Sequence, residues 1–201
     1  MIKNYLKIAW RNLIKNKVSS FINISGLAVG MAVAMLIGLW IWDELSFNKY
    51  HQNYDHIAQV RTRLIDPRTG ETGINNSLQF PMVTELKTNY KNNFKHVVMA
   101  SWDVDDILSV GDKKLSRTGL FMDLDAPEML TLKMIYGSRG GLKDMHSIML
   151  SESTSRAFFG NTDPVNQVMK INNNLDVKVT GVYEDLPLNC QFKDLKFLRW
   201  R

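Results

Sequence analysis

Hydrophobic and polar positions divide this chain into three stretches with different periods. Over residues 2–17 the apolar side chains recur at helical spacing. Ile2, Tyr5, Leu6, Ala9 and Leu13 fall on one side of a helical wheel, and Asn4, Lys7, Arg11 and Lys15 on the other. From Val18 to Trp42 the period disappears, because VSSFINISGLAVGMAVAMLIGLWIW carries no charged side chain. As a helix rising 1.5 Å per residue, that run is long enough to cross a hydrocarbon core of about 30 Å. Beyond Trp42, short alternating and helical patterns mix, and charge returns.

In the third stretch, Ala58, Val60, Thr62 and Leu64 alternate with Gln59, Arg61 and Arg63 and predict a half-buried strand. Pro81 suits a first helical turn, and Met82, Val83, Leu86 and Tyr90 follow at helical spacing. Val97–Ala100 reads as another strand. Ile107–Val110 and Leu115–Phe121 flank Gly111-Asp112, a hairpin signal. Ser151 is placed to cap a helix that runs to Phe159 and stops at Gly160, with Pro164 just beyond. Asn172-Asn173-Asn174 reads as a hairpin turn, since Asn tolerates positive φ. Val177 and Val179 belong to the last clear strand, and Phe192, Leu195, Phe197, Leu198 and Trp200 crowd the end like an interrupted element. Strands and helices alternate without regular βαβ repetition, so the expected class is α+β: an amphipathic helix, one transmembrane helix and a mixed α+β exterior domain. The expected boundaries are 1–17 for a basic interfacial helix, 18–42 for the span and 43–201 for the exterior domain.

Charge orients the expected span. Lys3, Lys7, Arg11, Lys15 and Lys17 precede it with no acidic residue among them, whereas Asp43 and Glu44 follow directly. Cationic flanks stay in the cytoplasm, which puts the N-terminus inside and residues 43–201 outside. Those five charges equal the formal net charge of +5, and the remaining basic and acidic residues balance at 20 each. The basic character is therefore a topology signal rather than a nucleic-acid footprint. Lys7, Arg11 and Lys15 are the candidate contacts to anionic lipid on the cytoplasmic side, and Trp40 and Trp42 the candidate interfacial belt at the other end. A cleaved secretory signal is the competing reading, with Ala32-Val33-Ala34 as its cleavage site, but the apolar run continues past it to Trp42.

Candidate chemistry is sparse. Cys190 is the one cysteine, which excludes an internal disulfide and reads as structurally neutral. Gly137–Asp144 has glycines, but its Lys143 is displaced from them and Asp144 stands where a magnesium-binding hydroxyl is needed, so no phosphate cradle forms. His51 and Asp55 share a helical face while His56 turns away, which favours a solvated juxtamembrane segment over a metal site. No catalytic, cofactor-binding or metal-binding residue is predicted.

Ile8–Lys17 (IAWRNLIKNK) followed by Ile24–Gly30 (ISGLAVG) resembles the entry into the first span of FtsX-like, MacB-like ABC transporter permeases. Asp43–Ile57 (DELSFNKYHQNYDHI) resembles the exit from that span, especially in Bacteroidetes-type members. Ser151–Gly160 (SESTSRAFFG), Asp163-Pro164 and Val179–Pro187 (VTGVYEDLP) resemble the family's periplasmic core domain. Two departures stand out. Val165-Asn166 occupies a place where a branched residue and Gly are usual, and Cys190 one where Ser commonly follows Pro-x-Asn. The resemblance implies a permease subunit in the inner membrane that does no chemistry itself. It implies a cytoplasmic ABC ATPase as partner, a homodimeric or heterodimeric permease, and periplasmic work such as export or lipoprotein release. It also implies a longer chain with further spans, of which this sequence is an N-terminal fragment or truncated product. The alternative is a single-span anchored sensor or binding module.

Overall fold

The computed structural model describes residues 2–200, the side chain of Ile2 excepted. Two compact units divide near Phe47.

The first unit is helical. Helix α1 (Ile2–Lys15) ends where Asn16 leaves helical geometry at φ −106°, ψ 58°, and α2 (Lys17–Ser46) begins at the next residue. Every apolar side chain of α1 from Tyr5 to Ile14 is exposed, and α2 is apolar all round with no buried residue. A helix without a polar stripe has no face suited to water. Its 30 residues span about 45 Å, and α2 is the one helix among the described residues long and apolar enough to cross a membrane.

The second unit is a sheet domain. A 3-10 turn (Tyr54–His56) leads into a two-stranded ribbon, β1 (Thr62–Ile65) and β2 (Thr72–Asn75), and then α3 (Phe80–Asn89). There follow β3 (Val104–Val110), β4 (Lys113–Met122), the short α4 (Ala126–Met129), β5 (Met134–Gly137), β6 (Ser147–Ser151) and α5 (Glu152–Phe159). The last elements are β7 (Val168–Ile171), β8 (Leu175–Tyr183) and β9 (Phe197–Trp200). The main sheet has the order β5-β8-β6-β9-β4-β3-β7. Among the described residues, only β4 with β9 and β6 with β8 run parallel. One edge of β8 is shared end to end: Gly181–Tyr183 pairs with β5, and Leu175–Lys178 with β7. Because β7 also pairs with β3, six strands close on themselves and β5 remains as an appendage.

Period-2 alternation then sorts the core into two sides. Ile148 and Leu150 of β6, Phe197 of β9, Val177 and Val179 of β8 and Leu108 of β3 pack inside the closed ring. Met149, Leu198, Tyr183, Leu120 and Met122 point to the other side, where they meet Leu130, Leu132 and Leu142. Close packing sets one residue choice inside the ring: a Cβ on Gly119 would lie 2.4 Å from the ring of Phe197.

The chain is α+β with one N-terminal apolar helix, as its sequence pattern predicts. Both hairpins form at the expected places: Gly111 takes φ +56° between β3 and β4, and Asn172 and Asn173 take φ +50° and +57° between β7 and β8. Elsewhere the structure departs from the sequence reading. The alternation over 58–64 yields only β1, mostly exposed, because its ribbon pairs with nothing else and no layer covers either face. Val97–Ala100 is not a strand. It makes a single bridge, Ala100 to Met122, while Val98 packs on the core. The crowded residues near the end include β9, an interior strand paired with β4 on one side and β6 on the other.

Candidate functional site

Three places gather polar chemistry. On α1, Lys7, Arg11 and Lys15 follow one another at intervals of four residues and share one exposed face. The face is not purely polar: at about 100° per residue Ile14 falls next to Lys7 and Ile8 next to Lys15. Trp40 and Trp42 are exposed in the final turns of α2, on different sides of the helix.

The second place is the start of α5. Ser151, fully buried, is the N-cap, and its hydroxyl accepts from the Thr154 amide at 3.3 Å. The next amide to need a partner, that of Ser153, donates to Asp185 Oδ2 at 2.8 Å, and the Ser153 hydroxyl donates to Oδ1 at 2.7 Å. Lys196 Nζ lies 3.2 Å from the same carboxylate. Burial alone would raise the Asp185 carboxyl. The two bonds from Ser153 and the Lys196 ammonium outweigh it and hold the group below its ordinary value. Beside this cluster Ser116, Arg117, Thr118, Ser153, Asp194 and Lys196 line an open depression of about 310 Å³. Its one helix terminus is already filled by Asp185, so an external anion has no free amides there.

The third place is the segment that follows α2. His51 is 4% exposed rather than solvated, which corrects the expectation for a juxtamembrane segment. Its Nδ1 lies 2.5 Å from the Leu130 carbonyl, so Nδ1–H donates, and bare Nε2 accepts from the Cys190 thiol at 3.4 Å. The rings of Tyr50 and Phe192 meet it edge-on. Burial lowers the imidazole's affinity for a proton and raises the Cys190 pKa, so both groups are held neutral. Tyr50 in turn donates to Glu184 Oε2 at 3.1 Å, and Lys133 Nζ sits 3.2 Å from that oxygen. Desolvation, then the bond to Glu184, pushes the phenol up to about 12. Among the described residues no group of three or more His, Cys, Asp or Glu side chains is gathered as a metal set.

With that geometry in view, comparison with known proteins is informative at the level of the whole chain. Residues 20–195 match the model of the MacB-like periplasmic core domain. The chain belongs to that family. No curated protein matches it. Solved structures similar in fold include the following three. The periplasmic region of MacB from Actinobacillus actinomycetemcomitans is 20% identical over 59% of this chain and 54% of that one, with a TM-score of 0.46. A permease-protein domain from Porphyromonas gingivalis is 20% identical over 52% and 46%, with a TM-score of 0.45. The extracellular domain of the noncanonic ABC-type transporter YknZ from Gram-positive bacteria is 16% identical over 61% and 62%, with a TM-score of 0.46. The chain thus spans about half the length of the first two.

In this MacB-like domain the segments that carry the family resemblance are caps and turns. Ser151 and Gly160 bound α5, with Gly160 at φ +67°. Asp185 from the VTGVYEDLP segment reaches back to Ser153, which joins two distant motifs through one carboxylate. Asp163 Oδ1 accepts from the Val165 amide to form the turn around Pro164. Both departures from the family pattern have a local account. Asn166 sits at φ +72°, a conformation that Gly adopts freely and Asn tolerates. Cys190 supplies an S–H to His51 where a Ser would supply an O–H. The His51–Cys190 pair was invisible in sequence because its partners lie 79 and 139 residues away.

Proposed function

We propose that this chain is a permease subunit of a MacB/FtsX-type ABC transporter, anchored in the inner membrane by α2. In this reading the N-terminus is cytoplasmic, residues 18–42 form the span and residues 43–201 form the periplasmic domain. A cytoplasmic ABC ATPase drives a homodimer or heterodimer of permeases, and the periplasmic domain converts that motion into substrate export or lipoprotein release. The observation that carries the reading is the junction itself. The match to the MacB-like periplasmic core domain, residues 20–195, begins within the uncharged run 18–42 of α2, and every charged residue before that run is basic.

The basic helix supports the same orientation. Lys7, Arg11 and Lys15 would hold α1 against the cytoplasmic leaflet, each contributing about 1 kcal/mol toward anionic lipid. Trp40 and Trp42 would sit in the opposite headgroup region. The chain itself performs no reaction in this account, and the ATPase supplies the energy.

Partner capture tests the assignment. With a photo-crosslinking amino acid at Asn4 or Asn12 in cells of the source organism, the expected adduct is with an ABC ATPase subunit. Reproducible adducts with sensor-kinase components and none with an ATPase would contradict the permease reading.

A further inference from the structure

Residues 48–52, the first after α2 and its C-cap, are fastened to the sheet domain by a short set of polar contacts. The Asn48 amide donates to the Asn189 carbonyl at 2.8 Å, and the Gln191 amide returns a bond to Asn48 Oδ1 at 2.7 Å. At the other end the Gln52 amide donates to Thr131 Oγ1 at 2.9 Å. Between these two fastenings lies His51, bonded to Leu130 and Cys190 in a closed site. Asn48 itself takes φ +61°, so the segment is held in a bent form that an unfastened chain would not favour.

The fastening has one weak member, and its weakness is chemical. The contact to Leu130 needs a proton on Nδ1, and the contact to Cys190 needs a bare Nε2, so only one neutral tautomer satisfies both. A proton added to Nε2 places N–H against S–H and leaves a charge in a site with no counter-ion. Direct neighbours of the ring are the Leu130 carbonyl, the neutral thiol of Cys190 and the rings of Tyr50 and Phe192. Farther out, Glu184 is committed to Tyr50 and Lys133. From α4, Glu128 faces Arg139 at 3.7 Å. Among the described residues neither carboxylate is a hydrogen-bond or ion-pair partner of the imidazole.

We propose that His51 is a proton-operated latch: neutral, it holds residues 48–52 on the sheet domain, and protonated, it leaves its pocket and releases them. The latch rests on this geometry alone and stands or falls independently of the transport role proposed above. Its sign follows from linkage. Because the folded chain resists protonation, the unfolded and unlatched forms bind the proton more readily. The contact is therefore at full strength above the ordinary histidine value and is lost as pH falls below it. Protons would thus loosen residues 48–52 from the sheet without touching the β8–β6–β9 core.

The full chain in lipid nanodiscs allows a direct test. A pyridyl disulfide, which stays reactive in mild acid, reports on Cys190 when its rate is divided by that of the unfolded chain at the same pH. Lowering pH from about 7.5 to about 5 is expected to raise this relative rate at least about tenfold. Hydrogen exchange should lose protection at Gln52 over the same range and keep it at Val179 in β8. In His51→Gln the relative rate should not change with pH, and Cys190→Ser, which keeps a donor, should preserve the pH response at Gln52. Flat thiol reactivity and flat Gln52 protection in the wild-type chain would overturn the latch. So would simultaneous loss of protection at Val179, or an unchanged pH response in His51→Gln. If that variant does not fold, the two wild-type measurements decide.

Discussion

Asp185 shows how much one side chain carries in this domain. Its carboxylate satisfies the Ser153 amide at the start of α5, accepts the Ser153 hydroxyl and meets Lys196. The folded state favours its ionised form, so stability is full above the ordinary carboxylate range and declines as pH falls through the lower folded value. Asp185→Asn is expected to cost about 0.5–1.5 kcal/mol at neutral pH, because the Ser153 amide and hydroxyl lose their charged acceptor at a partly exposed site. Urea unfolding at neutral pH and below about pH 4 checks both parts, since the variant should also lose the acid sensitivity that Asp185 supplies. Equal stability of the two proteins at neutral pH would contradict this role. Local devices of this kind were legible in the sequence: Ser151, Gly160 and the Asn172-Asn173 turn act on neighbours within a few residues. His51 was not, because its burial depends on Leu130 and Cys190, which no local pattern links to it.

Among the elements, legibility followed burial. The hairpins of β3–β4 and β7–β8 each keep one face toward solvent, and their alternation shows it. Strand β6, SIMLS, is buried along its whole length and has no alternation to read. Strand β9 lies between β4 and β6, with Phe197 inside the ring and Leu198 outside it, so apolar residues on both faces leave no alternation to mark it. The opposite error occurred at β1, where alternation without a covering layer overstated burial. Packing at the β4–β9 junction gives the element-level prediction. Gly119→Ala places a methyl in the Phe197 ring, which is enclosed on every side, and should cost about 1–3 kcal/mol by overpacking. Pairing it with Phe197→Leu should recover part of that loss in a double-mutant cycle. Thermal unfolding of the four proteins measures it, and strict additivity would show that Gly119 and Phe197 do not compete for space.

In the molecule as a whole, a basic flank, the uncharged run 18–42 and a MacB-like sheet domain follow one another along the chain. The apolar N-terminal helix was readable because its uncharged run is long, whereas strand order in the ring depends on pairings far apart in sequence. Lacking a phosphate cradle, the purified chain should show no shift in unfolding temperature with ATP and magnesium; a clear stabilisation would mean a nucleotide site of its own. The orientation proposed for the chain, with residues 43–201 outside, can be tested directly. In a Cys190→Ser background, single cysteines at Ser138 and at Asn4 can be probed in intact cells with a membrane-impermeant thiol reagent. Labelling is expected at position 138, and none at position 4 until the membrane is permeabilised. Labelling at position 4 with protection at 138 would contradict it.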